Sequence, residues 1–448
     1  MRRSASTLLA PVLVTLGLVG PPALAKTYID IDSPGFRGLP VAVVQVEPDP
    51  QSTPCKEPGL SEKITKVLLQ DMDVSGYFQI LPPEAFLVEA KDVKFAPEGV
   101  DFRAWSLIGA EALILHRTSC ERDQVIFEAQ LLDVLTGKVL TWKRYRSPVS
   151  AYRVVAHRFA NEIELQLTGL AGTYDTRVAY VAKSPGAKDS GKELYVMDYD
   201  GNGAKRLSSL KSICLSPSWS PDGRRIAFTS FYKTNPSVYI LDIAGGSELR
   251  RLCGTFYRLC SGASWSPDGK WVSFSASISG NSELFRVRLG DSGPPARLTD
   301  DWGIDVSPSW SPDGKQIAFV SDRAGRPDLY VLTPEDGTTR RLTFEGSYNA
   351  DPDWSPRGDW IVFAGRVDGE FQIFRIRPDG TQRTQLTYAP GNGISPSFSP
   401  NGRLVAFSSN QAGPYEIYLI RADGSGRKRI TLEGRDASDP SWGPLTSD

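Results

Sequence analysis

The chain has 448 residues, with 51 Lys and Arg against 52 Asp and Glu. So even a balance excludes the basic surface that drives binding to nucleic acid or to an anionic membrane. The length allows two or three domains, and 41 Gly with 33 Pro fit many short strands joined by turns.

Residues 1–25 read as a signal peptide: Arg2 and Arg3, an apolar stretch over 8–19, and the small-x-small site Ala23-Leu24-Ala25. No Cys follows that site, so no lipoprotein signal is expected. No second long apolar run follows either, so the mature chain is not expected to span a membrane. Residues 26–35 form an N-terminal arm. In Lys26, Thr27, Tyr28, Ile29, Asp30, Ile31, Asp32 and Ser33 the isoleucines alternate with aspartates, a strand pattern that Pro34 and Gly35 end. Such a segment can add to a partner's sheet edge. The alternative is a strand docked on its own body, or a frayed tail.

Residues 36–170 predict an α/β domain. Strands are expected at 40–46, 77–81 and 112–117, a hairpin at 124–132 and 138–146, and helices at 60–69, 102–110 and 152–167. The mixture predicts a small mixed sheet with helices packed on it. A linker, 171–176, leads to an all-β region at 177–448.

That region carries a repeat. Trp219-Ser-Pro-Asp-Gly223 recurs as Trp265-Ser-Pro-Asp-Gly269, Trp310-Ser-Pro-Asp-Gly314, Trp354-Ser-Pro-Arg-Gly358, Phe398-Ser-Pro-Asn-Gly402 and a truncated Trp442-Gly-Pro444, at spacings of 46, 45, 44, 44 and 44 residues. A period of this size in a strand-and-turn unit predicts a β-propeller. Asp-Gly suits a tight hairpin turn because Gly accepts positive φ, Pro stiffens it, and Trp fills the wedge between blades. The last copy lacks its following strands; segments 177–181, 193–196 and 205–207 supply them. A six-bladed ring with split-blade closure is expected.

Enzymatic signatures are missing. The two histidines, His116 and His157, precede the propeller, which rules out a Ser-His-Asp triad on it, and there is no Gly-x-Ser-x-Gly elbow or His-Glu-x-x-His. The segment Gly186-Ala-Lys-Asp-Ser-Gly191-Lys192 imitates a phosphate-binding loop, but Glu193 stands where Ser or Thr is needed and no helix follows. Asp305, Asp351, Asp353, Asp436 and Asp439 precede the repeated aromatics. They read as solvated loop carboxylates without cation-loop spacing, so no metal and no cofactor is expected. Of the five cysteines, Cys253 and Cys260 flank a six-residue loop and are the expected pair; Cys55 and Cys120 could also meet, leaving Cys214, and the alternative is that all five are free.

The start Tyr28-Ile-Asp-Ile with Pro34-Gly35, the strand Leu39-Pro-Val-Ala-Val43, and six Ser-Pro-Asp-Gly-type repeats after an α/β domain together resemble the TolB family of the Tol-Pal system. The resemblance implies a non-enzymatic periplasmic adaptor, monomeric within a multiprotein envelope complex, that supports outer-membrane integrity and constriction at cell division. It implies that the lipoprotein Pal binds at the propeller channel mouth and TolA at the arm. By position the mouth residues are Leu259, Ser261, Gly262, Asp305, Val306, Asn349, Ala350, Gly393, Ile394, Ala437 and Ser438. Blade 2 departs from the pattern, with Gly262-Ala-Ser264-Trp265 in place of Ser-Pro-Ser-Trp. The competing readings are a periplasmic propeller lyase or peptidase, and a saccharide-binding propeller.

Overall fold

The computed structural model describes residues 37–445, apart from 185–190, 234, 246–247, 254–256, 258, 279, 292 and 432–433. The expected signal peptide and arm therefore lie outside the described residues, as does most of the phosphate-loop look-alike.

The first domain is a five-stranded sheet of order β2-β1-β3-β4-β5, with β1 Leu39–Gln45, β2 Phe78–Ile80, β3 Ala112–Glu121, β4 Gln124–Asp133 and β5 Val139–Pro148. β1 is an interior strand, parallel to both neighbours; β3, β4 and β5 are antiparallel. Alternation along the strands separates two cores. Val41, Ile114 and Phe127 face α1 (Leu60–Ser75) and α3 (Tyr152–Thr168). Ala42, Val44, Leu113 and Leu115 face Trp105 of the short α2 (Phe102–Leu107). A disulfide joins Cys55 to Cys120. Cys253 and Cys260, the pair expected from loop length, are instead free thiols, as is Cys214. Cys253 and Cys260 share one buried cluster, but no bond joins them.

Six four-stranded antiparallel sheets follow. Blades 1 to 5 span 214–251, 260–297, 305–341, 349–385 and 393–429. In blade 6 the innermost strand, Ser438–Trp442, pairs with Arg177–Lys183, which pairs with Lys192–Asp198 and then Lys205–Arg206. One sheet thus joins the two ends of the described propeller.

The repeated motif has more jobs than the sequence shows. Ser220 Oγ accepts the Arg225 N–H at 2.9 Å across the turn, and Gly223 sits at φ +66°. In three blades the residue just before the repeated aromatic reaches the next blade. Ser309 Oγ accepts the Trp354 N–H and Ser397 Oγ the Trp442 N–H, each at 3.0 Å; Asp353 does the same for Phe398 at 2.7 Å. The indoles of Trp219 and Trp265 donate to carbonyls of Ser441 and Ser218, each at 3.1 Å. Neighbouring blades are therefore laced by hydrogen bonds as well as packed.

The first domain docks against blades 5 and 6 on the face that carries the Ser-Pro-Asp-Gly turns. Arg421 donates to the carbonyls of Asp73 and Val74 at 2.6 and 3.0 Å, capping the end of α1. Between the domains lies a buried polar set. Asp71 of α1 binds His157 Nδ1 of α3 at 2.8 Å and the Tyr199 hydroxyl of the propeller at 2.5 Å. Arg153 of α3 pairs with Asp200. The linker joins in: Tyr174 donates to Glu164 at 2.5 Å, and Thr176 Oγ1 accepts the Trp442 indole N–H at 2.8 Å. Burial pushes the Glu164 carboxyl up to about 7.

Candidate functional site

Each innermost strand begins at one end of the ring and runs along the central channel. All six contain a register shift at the same place, and the residues there are Ser216, Gly262, Ser307, Asp351, Ser395 and Asp439. Each has φ between +47° and +63°. This left-handed conformation costs a non-glycine residue about 1–3 kcal/mol, so the fold must impose it. Gly262 adopts the same geometry, and blade 2 keeps the channel shape despite its departure from the sequence pattern.

These residues and the Pro and Ser or Asp after them line a cavity of about 150 Å³. Of the five aspartates singled out from sequence, three reach it: Asp351, Asp353 and Asp439. Ser395 Oγ lies 3.3 Å from Asp351 and 3.2 Å from Asp439, bridging two carboxylates. Burial pushes Asp351 up to about 6, with the Asp439 charge adding to it. Burial likewise raises Asp439, and lifts Asp353 to about 7. Asp305 and Asp436 do other work: the first pairs with Arg323 at 2.7 Å, the second with Lys183 and Lys192 at 3.2 and 3.4 Å. Among the described residues no group of three or more His, Cys, Asp or Glu is assembled for a metal ion.

The raised Asp351 pKa has a testable sign. A carboxyl that binds its proton more tightly when folded contributes fully at pH below its ordinary range and loses that contribution as pH rises through about 6. Channel solvent reaches this side chain, so the effect is discounted to about 1–2 kcal/mol. Asp351→Asn should therefore stabilise the chain more at pH 8 than at pH 5 in urea titrations, with the gain vanishing only below the ordinary carboxylate range.

The eleven mouth residues divide by exposure. Leu259 and Ser261 are exposed, and Gly262, Val306, Ala350 and Ile394 half-buried. Asp305, Asn349, Gly393, Ala437 and Ser438 are buried, so their side chains cannot present a surface in the free protein. Asn349, for example, is spent on Asp328 at 2.9 Å and the Glu345 carbonyl at 2.9 Å. The packing of these five shapes the mouth.

What the sequence reading missed lies a few residues upstream. Trp302, Ile304, Phe344, Tyr348 and Tyr388, on the connections between blades, are exposed, Trp302 and Tyr388 by 73% and 77%. Ile213 and Leu259, just before two innermost strands, add to them, as do Phe231 and Tyr232, because connections between the second and third strands also return to that end of the ring. So much apolar side chain rimming a channel marks a contact surface. The available signal was an aromatic set outside the repeat register in otherwise polar connections. Among the described residues the first domain sits at the opposite end and leaves this rim open.

His116 and His157 both lie in the first domain and line no part of the channel. Burial pushes His116 down to about 4, and its Nε2 meets Thr65 Oγ1 at 3.1 Å. No helix among the described residues is long and apolar enough to cross a membrane.

Fold and site together define a two-domain β-propeller protein whose laced ring presents an apolar, loop-built channel mouth. The profile of the TolB amino-terminal domain matches residues 27–140, and that of the TolB beta propeller domain matches residues 165–446, more than half of the chain. The chain belongs to the TolB family. Among curated relatives, the Tol-Pal system protein TolB of Syntrophotalea carbinolica is 38% identical over 226 residues, 50% of each chain. A protein TolB homolog of Chlorobium chlorochromatii is 33% identical over 65% of this chain and 63% of its own. The chain thus spans about half the length of the first of these curated relatives and under two-thirds of the second. The crystal structure of TolB from Acinetobacter baumannii superposes with a TM-score of 0.77 at 28% identity, over 91% of this chain and 97% of that one.

Proposed function

We propose that this chain is a non-catalytic periplasmic adaptor of the Tol-Pal envelope system. Its channel mouth receives the lipoprotein Pal, and its arm, residues 26–33, receives TolA. In this way it supports outer-membrane integrity and constriction at division. The observation that carries the reading is the apolar rim on the face left open by the first domain, where Trp302 and Phe344 stand exposed on connections anchored by a rigid ring. Exposed aromatics of this kind supply the few contacts that dominate a protein interface. Leu259, Ser261, Gly262, Val306, Ala350 and Ile394 border the same opening. The relatives' names support the system, and the family supports the two partners.

The test uses purified partners. Trp302→Ala and Phe344→Ala should each weaken Pal binding by about 30-fold, the equivalent of about 2 kcal/mol, with unchanged melting. Deletion of 26–33 should abolish TolA binding and leave Pal binding intact. Equal loss of both partners from a folded deletion variant would overturn the two-site reading.

A further inference from the structure

Blade 1 lacks a tie that the other five blades share. In those, one hydroxyl at the end of the outer strand bonds a polar side chain at the start of the third strand. Thr343 Oγ1 donates to Asp328 Oδ1 at 3.0 Å and Thr387 Oγ1 to Gln372 Oε1 at 2.7 Å, and three further blades repeat the bond. The same hydroxyl accepts the next backbone N–H of the third strand, as Thr343 does from Leu329 at 2.9 Å. In blade 1 the two positions hold Cys253 and Ser237. Cys253 occupies the hydroxyl's place, and Ser237 stands at the start of the third strand where the other blades hold a carboxylate or amide.

The hydroxyl's place also abuts the first residue of the next innermost strand. Asn349 Nδ2 donates to Thr343 Oγ1 at 3.3 Å, and Thr387 Oγ1 stands 3.6 Å from where a β-carbon on Gly393 would lie. After blade 1 that first residue is Cys260. The repeat geometry therefore sets Cys253 beside Cys260, both buried in one apolar cluster. Cys214 is engaged elsewhere, with Ser230 at 3.7 Å. The Cys55–Cys120 bond shows that the fold carries a disulfide already.

We propose that Cys253 and Cys260 are an oxidisable dithiol that closes to a disulfide, replacing with a covalent bond the polar tie that blade 1 lacks. The oxidant is an external disulfide, small or protein-borne. The Cys253 thiolate attacks one of its sulfurs, and the other sulfur leaves and takes up a proton. The Cys260 thiolate then attacks the Cys253 sulfur of the mixed disulfide and expels the second thiol. Two electrons and two protons pass from the cysteine pair to the oxidant, which ends as two thiols. Both sulfurs are buried, so exchange follows local opening of the strand ends and is slow.

The full chain, reduced with dithiothreitol and reoxidised with glutathione disulfide, should be acid-quenched, unfolded, alkylated and weighed. Five alkylated cysteines are expected before reoxidation and one, Cys214, after it, with a peptide pair linked through Cys253 and Cys260. Cys253→Thr, which restores the hydroxyl of the other blades, should raise the count after reoxidation to two. Three alkylated cysteines after reoxidation, or a glutathione adduct that persists on Cys253 or Cys260, would overturn the proposal. The readout is sulfur chemistry alone and is independent of which partner occupies the mouth.

Discussion

His157→Ala should cost about 3–5 kcal/mol in the first unfolding transition, because it leaves the Asp71 carboxylate buried between the domains without its main counter-charge. Burial pushes the Asp71 carboxyl up, against the pull of His157 and Tyr199. Burial alone would push the His157 imidazolium down, but Asp71 and Asp200 outweigh it and the net shift is upward. Both groups hold protons more tightly folded than unfolded. The His157 contribution is therefore complete below the ordinary imidazole pKa of 6.5 and is lost as pH rises through its raised value, whereas that of Asp71 is complete only below the ordinary carboxylate pKa of 3.8. Wild-type stability should fall between pH 6 and pH 9 by an amount that His157→Gln removes. Pairing His157→Ala with Asp71→Asn should recover much of the loss, since the stranded charge goes with its partner. Additive losses in that double variant would show that the pair is not the source. Unfolding of this two-domain chain should be followed by tryptophan fluorescence and circular dichroism together, so that the first transition is read as its own event.

The second large effect concerns ring closure. A chain stopped at residue 437 loses the innermost strand of blade 6, Ser438–Trp442, which pairs with Arg177–Lys183 and packs beside blades 1 and 5. Trp442 alone is buried, stacked near Tyr199 at 6.4 Å between centroids, and bonded to Thr176. Truncating one such side chain typically costs about 3–5 kcal/mol. The stop also exposes the edge of Arg177–Lys183 and frees Ser397 Oγ from the Trp442 N–H. An unpaired, apolar edge templates association. The truncated chain should aggregate or melt broadly, and adding residues 438–448 back as a peptide should restore a sharp transition. A soluble, sharply melting truncation would mean that the ring needs no closing strand.

The repeat spacing and the Ser-Pro-Asp-Gly turns made the blade count legible, since turn chemistry is local and period is visible in one dimension. Strand and helix positions in the first domain came through for the same reason, although α1 runs on to Ser75 where its apolar period weakens. Long-range features were not legible. Asp71 and His157 are 86 residues apart, and nothing in either neighbourhood marks them as partners. Burial of the residues before each repeated aromatic was not legible either. Asp305 and Asn349 look polar and available in sequence, yet the blade buries both. Trp302 and Tyr388 look like further core aromatics, and only the closed ring shows that they face outward.

The interior place of β1 bears on mechanical load. The chain enters the described fold at Arg37 and within two residues becomes an interior strand of the first sheet, hydrogen-bonded in parallel to β2 on one side and β3 on the other. A tug on the arm along that strand strains both ladders at once and in shear, so many bonds share the force. Were β1 an edge strand, the same tug would peel it away one bond at a time. A pull at Arg37 is thereby resisted by two ladders together.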